Sequence, residues 1–286
     1  MKFKLCVALM LLTFCTVFAQ KEKVKGNKIV MTEQKLIESF NAIEVYDNFQ
    51  VTIVEDTDNM IKIEADSNVQ EFIEYQIVDN VLKISSSKDL RRTKALNITI
   101  MYSSELTNLK FYNEAQVRSN GPIVTSDLTI ETYDDAEVFL SIESGKLKGV
   151  ANGKSILELH SGVREAFYQV NENANLKGII TSDTLTVDLY QKGEAKLEGE
   201  AKSLLIRADS ETNYYGEKLN STTTKVVTEG KSECYVVSTG NITIEAIDES
   251  EIYLLGEAKI ELNVFLNEAS LYKKNMDYSP SRFKIN

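Results

Sequence analysis

One five-residue phrase decides the fold because it keeps returning: NEAQV (Asn113–Val117), DDAEV (Asp134–Val138), GKSIL (Gly153–Leu157), ENANL (Glu172–Leu176) and GEAKL (Gly193–Leu197). Looser copies follow as SETNY (Ser210–Tyr214), GKSEC (Gly230–Cys234) and DESEI (Asp248–Ile252), and the last is NEASL (Asn267–Leu271). Each copy reads polar, polar, small, any, apolar. The small position falls on Ala115, Ala136, Ser155, Ala174, Ala195, Thr212, Ser232, Ser250 and Ala269, at spacings of 21, 19, 19, 21, 17, 20, 18 and 19 residues. A second apolar segment lies between copies, as in Leu128-Thr129-Ile130, Leu185-Thr186-Val187 and Ile242-Thr243-Ile244. Each period therefore holds two short alternating segments, the pattern of strands.

A repeat of about 19–20 residues that returns the same residue type at the same phase predicts an all-β parallel solenoid of about nine coils. Equivalent residues of successive coils then stack at the strand spacing, giving a rod roughly 40 Å long. Small residues suit a narrow place in the coil. The row two residues later (Val117, Val138, Leu157, Leu176, Leu197, Tyr214, Cys234, Ile252, Leu271) reads as inward-facing. A β-sandwich also has short alternating strands but does not require this phasing. The leucine-and-asparagine signature of leucine-rich repeats is missing.

Outside the repeats, Ile43 to Ile100 also alternates, with turns at Tyr46-Asp47-Asn48, Glu55–Asn59 and Asp79-Asn80; only Asn68–Glu74 suggests a short helical turn. End coils of a solenoid need protection, so residues 38–110 are expected to form an N-terminal capping part of a domain spanning 38–277. The tail 278–286, with Pro280 and Lys284, is expected to blunt the other edge. Residues 20–37 read as a flexible leader. Residues 1–19 read as an export signal: Lys2 and Lys4, an apolar run Leu5–Phe18, and small residues around Val17-Phe18-Ala19. That run is short for a membrane span, and Phe14 before Cys15 is bulky for a lipidation signal. Export places the mature chain in the periplasm, at the cell surface or outside the cell, without an integral membrane segment.

The net charge of −11 argues against nucleic acid as a partner, and against simple electrostatic adhesion to anionic lipid. Lys88–Lys94 (KDLRRTK) is a small basic patch, in which Arg91 and Arg92 are candidate anion ligands and a solvated loop is the plainer reading. With one histidine, His160, expected at a turn, and one cysteine after the signal, Cys234, the mature chain has no catalytic triad and no Cys/His metal set; neither cofactor nor metal is expected. Cys234 reads as a core residue. Asp134, Asp135, Asp183, Asp188 and Asp209 are candidates for an acid pair, but 43 acidic residues make nearby carboxylates commonplace. Tyrosines recur along the rod (Tyr133, Tyr168, Tyr190, Tyr215, Tyr235, Tyr253, Tyr272), and an exposed subset would stack glycans or proteins. Tyr214, Tyr215 and Tyr253 are the candidate ligand-binding positions.

Beyond the repeats, Phe40-Asn41-Ala42-Ile43-Glu44-Val45, Phe49-Gln50-Val51-Thr52-Ile53, Ile61-Lys62-Ile63-Glu64-Ala65, Val81-Leu82-Lys83-Ile84 and Leu96-Asn97-Ile98-Thr99-Ile100 follow in order. In this the chain resembles the head GIN domain family of auto-transporter adhesins over about residues 38–270. The resemblance implies a right-handed β-helix reminiscent of pectin-lyase solenoids, an adhesion role, and no established catalytic residues. Family turns are often glycine-rich; here Asp47-Asn48 and Asp79-Asn80 stand instead, residues that tolerate the same backbone. The expected function is a non-enzymatic adhesin or binding protein for a cell-surface glycan or protein. The alternatives are a polysaccharide lyase or hydrolase, and a structural component of the cell envelope.

Overall fold

The computed structural model describes residues 21–277; the expected export signal and the tail 278–286 lie outside the described residues. The first ten strands are β1 (Lys23–Lys25), β2 (Val30–Leu36), β3 (Ala42–Val45), β4 (Gln50–Glu55), β5 (Met60–Asp66), β6 (Ile73–Val78), β7 (Val81–Ser86), β8 (Asp89–Arg91), β9 (Leu96–Tyr102) and β10 (Asn108–Phe111). Then come the coil-forming β11 (Gln116–Thr132), β12 (Glu137–Ala151), β13 (Ile156–Val170), β14 (Asn175–Leu189), β15 (Glu194–Ala208), β16 (Asn213–Thr228) and β17 (Glu233–Ala246). The last are β18 (Glu251–Leu255), β19 (Lys259–Phe265) and β20 (Ser270–Lys273). From β10 onward every pairing is parallel, and β12 to β15 pair in an unbroken register of Leu157 with Leu176 and Val170 with Leu189. The chain is a parallel β-solenoid, as the repeat requires. The short helical turn is present at Gln70–Phe72.

Each long strand bends once. In β13 the buried residues are Leu157, Leu159, Ser161 and Val163; Arg164 and Glu165 both face out; then Ala166, Tyr168 and Val170 are buried. The doubled outward step resets the two-residue alternation, which is how a pleated chain turns a corner without exposing its core. The Tyr168 and Ser161 hydroxyls meet at 3.0 Å across the interior, although seven residues of straight strand would separate them by roughly 23 Å.

A four-residue turn closes each coil, and its second residue is left-handed: Asp47, Asn113, Asp134, Gly153, Glu172, Gln191, Ser210, Gly230, Asp248 and Asn267 have φ between 57° and 75°. Asp and Asn tolerate this conformation, which explains how the chain dispenses with most of the glycines its turns would otherwise need. The turns stack through backbone bonds, such as Lys154 N–H to the Asp134 carbonyl (2.7 Å) and Asn173 N–H to the Gly153 carbonyl (2.9 Å).

The small ladder is real, with one correction. Ala115, Ala136, Ser155, Ala174, Thr212, Ser232 and Ser250 are fully buried at the turn's end. In the fifth coil, however, that position is Gly193 and not Ala195: Glu194 N–H bonds the Ala174 carbonyl and Asn213 N–H bonds the Gly193 carbonyl. Ala195 lies in the next row, between Leu176 and Tyr214, and Leu197 pairs with Gly178 instead. The irregular spacings of 21 and 17 thus become two regular steps of 19. The reason is packing: Tyr214 is fully buried in that row, and a small Ala195 beneath it leaves room for the ring.

At the N-terminal end the rungs are out of chain order. β3 and β4 lie between β7–β9 on one side and β10–β11 on the other, all parallel. Beyond them β5 pairs antiparallel with β9, β2 with β5, and β6 with β7. Reversing strand direction ends the stack. The expected flexible leader is instead structured: β1 pairs with β8 and β2 is the outermost strand. Asp66 is fully buried there and explains the order, because its carboxylate accepts the backbone N–H groups of Lys28 (2.6 Å), Lys94 (2.8 Å) and Ala95 (3.1 Å).

Candidate functional site

Stacking dictates what the surface can offer. The outward residues of the first sheet of each coil form a continuous row: Thr99, Thr52, Arg118, Phe139, Glu158, Lys177, Lys196, Tyr215, Tyr235, Tyr253 and Tyr272. Its C-terminal third is an aromatic ladder, with ring centroids 5.5 Å apart for Tyr215–Tyr235, 4.4 Å for Tyr235–Tyr253 and 4.9 Å for Tyr253–Tyr272. A second ladder, Tyr46–Tyr112–Tyr133, runs at the turns with spacings of 4.6 and 4.8 Å.

These ladders change the meaning of the tyrosines. Tyr253 is stacked on both faces, by Tyr235 and Tyr272, and its hydroxyl donates to Glu251. Tyr215 is covered on one face by Tyr235. Ring faces used in stacking cannot also receive a sugar. Tyr214, the third sequence candidate, is corrected outright: it is fully buried, because the two-residue alternation sends it inward where its neighbour Tyr215 points out. Burial pushes its phenol well above the ordinary range. Tyr46 follows the same pattern at the turns, its phenol pushed up to about 12 by burial and by its hydrogen bond to Glu44.

The N-terminal part of the row is different in kind. There a cleft of about 510 Å³ opens on the sheet face, lined by Thr99, Thr52, Gln50, Gln116, Arg118, Glu137, Phe139 and Glu158, with Glu64 and Asn97 at its edge. Phe139 is 39% exposed, a large apolar ring in an otherwise polar setting. His160 holds it from one side: the rings meet edge to face at 5.0 Å and 85°, and His160 Nε2 lies 3.8 Å from Glu158 Oε1. His160 is inside β13 and not at the turn expected for it, because β13 continues through Ser161 and Gly162 to Val170. Arg118 Nε donates to Thr52 Oγ1 at 3.3 Å. The cleft thus combines one aromatic surface with amides, hydroxyls, one guanidinium and three carboxylates. Its balance is negative, which favours a neutral or basic ligand over a polyuronide.

Several of the other sequence candidates have structural partners. Asp183 pairs with Lys202 at 2.6 Å, and Asp188 is bound by both arms of Arg207 at 2.7 and 2.6 Å. Asp134 caps its neighbouring turn by accepting the Asn113 N–H at 2.9 Å. Cys234 is buried between Tyr214 and Ile252 as the row predicted, and burial raises its thiol pKa far from nucleophilic range. Among the described residues no group of three or more His, Cys, Asp or Glu side chains is arranged to hold a metal ion, and no helix is long and apolar enough to cross a membrane. Sequence reading missed Phe139. Its signal was present: it immediately follows the Ala-x-apolar phrase, where the row has Arg118 one coil earlier and Glu158 one coil later.

Comparison with solved structures gives the same fold. A crystal structure of a "putative adhesin" from Parabacteroides merdae superposes with a TM-score of 0.64 at 20% identity, covering 88% of this chain and 99% of that one. A "putative lipid binding protein" from Parabacteroides distasonis gives 0.62 at 17% identity, covering 88% and 100%, and a "putative adhesin" from the same species gives 0.59 at 17%, covering 88% and 100%. No curated protein matches the sequence. The sequence profile described as "Putative auto-transporter adhesin, head GIN domain" matches residues 39–179 and 168–258. Those stretches hold the N-terminal rungs, the Phe139 cleft and most of the turn ladder, so the chain belongs to the head GIN domain family.

Proposed function

We propose that this protein is an exported, non-enzymatic adhesin that retains a neutral or basic cell-surface glycan in the Phe139 cleft. The observation that carries this reading is the exposed Phe139 ring among hydroxyl, amide and carboxylate side chains on a rigid parallel sheet. An aromatic ring offers a face or edge to the C–H groups of a sugar, while Thr52, Thr99, Gln116 and Glu137 supply donors and acceptors for its hydroxyls. Binding needs no moving part, because every lining residue is set by strand register. The adhesin-named relatives support a surface-binding role in the same fold, and the ion pairing of Asp183 and Asp188 and the burial of Cys234 weigh against a catalytic role for those three. The export signal read in residues 1–19 supports placement outside the cytoplasm.

A glycan array that includes neutral, amino-sugar and uronic-acid polymers tests the proposal, read for both retention and product release. Retention of a neutral or basic glycan, lost about tenfold or more in Phe139→Ala with the fold unchanged by circular dichroism, is the expected result. Retention unaffected by Phe139→Ala and by Arg118→Ala would remove the cleft from the account. Product release abolished by a single carboxylate substitution would replace adhesion with catalysis.

A further inference from the structure

The fold concentrates positive charge in a way that the overall composition conceals. Residues 21–28 (KEKVKGNK) carry four cations against one carboxylate, and residues 88–94 (KDLRRTK) carry the same. Parallel pairing of β1 with β8 sets Lys23 opposite Asp89 and Lys25 opposite Arg91. Buried Asp66 then ties Lys28 to Lys94 through their backbone N–H groups. Two segments some sixty residues apart are thereby brought together, eight cations against the two carboxylates of their own residues and the neighbouring Asp47, Asp66 and Glu114, a local excess of three positive charges on a chain of net charge −11. Part of this charge is used internally: Lys21 pairs with Asp47, Lys88 with Glu22, and Arg91 with Asp89 and Glu114. Lys23, Lys25, Arg92 and Lys94 have no carboxylate within 4 Å among the described residues; Lys23, Lys25, Arg92 and Lys94 are all exposed.

Ile29, which follows Lys28 in the chain, is 64% exposed, and Met31 on the edge strand β2 is 54% exposed. Cations flanking exposed apolar side chains are the chemistry of a surface that rests on an anionic bilayer: the charges meet lipid phosphates, and the apolar tips enter the interfacial region.

We propose that the N-terminal cap docks peripherally on an anionic lipid bilayer, through Lys23, Lys25, Arg92 and Lys94 with Ile29 and Met31, so that the acidic solenoid projects away from it. Repulsion between the solenoid's own charge and the lipid would favour that upright orientation. The proposal uses none of the residues that line the Phe139 cleft.

Co-sedimentation of the purified protein with vesicles tests it, using phosphatidylcholine alone and phosphatidylcholine doped with phosphatidylglycerol. Binding to the anionic vesicles only, weakened by added salt, is expected. The triple variant Lys23→Gln/Lys25→Gln/Arg92→Gln should bind roughly 100-fold more weakly. Lys154→Gln/Lys192→Gln/Lys231→Gln removes the same charge from exposed turns of the solenoid and should bind as the parent does. Ile29→Ser/Met31→Ser should lower binding without altering its salt dependence. Equal binding to both vesicle types, no binding at low salt, or equal loss in the two triple variants would overturn the proposal. So would binding to soluble dextran sulfate with none to vesicles, which would make the patch a site for a polyanionic glycan.

Discussion

Placing a tyrosine inside a coil built for aliphatic side chains has a measurable consequence at Gly216. Gly216 is two residues from Tyr214 on the same inward face, at a one-residue bulge where the pairing of β15 with β16 skips between Lys196 and Glu198. A Cβ on Gly216 would lie 2.7 Å from the Tyr214 hydroxyl and 2.8 Å from its Cζ. The ring cannot withdraw, being fully buried with Ala195 on one side and Cys234 on the other. Gly216 is not among the left-handed positions, so its backbone accepts alanine. In the absence of the ring, Gly216→Ala should stabilise by about 0.5–1 kcal/mol through the unfolded chain. With the ring present, overpacking should outweigh that gain and leave a net cost of about 1–3 kcal/mol. The sign of the effect should therefore reverse between the parent and a Tyr214→Leu background, a coupling of roughly 2–3 kcal/mol. Urea unfolding followed by circular dichroism gives the shifts in midpoint, and hydrogen exchange localises them to β15–β17, which matters because solenoid coils need not unfold together. Stabilisation by Gly216→Ala in the parent, or additive effects in the double variant, would show that Tyr214 does not fill the space assigned to it.

Three further outcomes follow from the same geometry. Glu172 is left-handed at φ 62° and its carbonyl accepts the Lys192 N–H; Glu172→Gly keeps that bond, relieves the Cβ, and should raise stability by about 0.5–1 kcal/mol in a thermal melt, whereas a loss would mean the turn is not strained. Asp66 loses ionisation free energy to burial, but the backbone N–H bonds from Lys28, Ala95 and Lys94 more than compensate, so its carboxyl titrates below the usual range. Its contribution is then complete above the unfolded carboxylate pKa of about 4 and disappears as pH falls through the lower folded value. Asp66→Asn should cost about 2 kcal/mol at neutral pH and flatten the acid limb of the stability profile; an unchanged acid limb would dismiss Asp66 as its source. In protein lacking residues 1–19, Cys234 is the single cysteine, and it should react with a thiol reagent only in denaturant, since native reaction at the rate of an exposed thiol contradicts its burial.

How much of this was legible in the sequence depends on how local the determining contact is. The coil repeat was readable because stacked positions share one environment: Ala115, Ala136 and Ala174 recur for a common steric reason, and the left-handed turn position is Asn, Asp or Gly in seven of the ten coils named above, with Glu172, Gln191 and Ser210 the exceptions. The slip at GEAKL arose where two small residues, Gly193 and Ala195, compete for the same phase. Backbone register decides between them, and the unequal flanking spacings were the visible trace. The insertion of β3–β4 between β7–β9 and β10–β11 left no such trace. Its pairings join Ile43 to Leu82 and Leu109, strands that share only a hydrophobic alternation common to any half-buried sheet. The leader was misread for a related reason: its composition is that of a solvated segment, and what orders it is one distant buried carboxylate, Asp66.

The same stacking that makes the fold legible also decides where recognition can occur. In a parallel solenoid, residues of adjacent coils bind each other: tyrosines in register stack, Asn171 donates to Asn152 at 2.8 Å, and Lys225 pairs diagonally with Glu245 at 2.9 Å. A uniform row therefore satisfies itself and offers a ligand little beyond its edge. Unspent chemistry collects where a row changes character from one coil to the next, as between Thr52, Arg118, Phe139 and Glu158, or where a non-repeating segment is laid on the stack, as β1 is laid on β8. Both proposed surfaces meet that condition, whereas the tyrosine ladder, the most conspicuous feature of the sequence, does not. Breaking the ladder's self-satisfaction tests the principle: Tyr235→Ala should uncover faces of Tyr215 and Tyr253 and cost the stacking stability of about 0.5–1.5 kcal/mol per ring pair. It should leave glycan retention unchanged; a loss equal to that of Phe139→Ala would place recognition on the ladder after all.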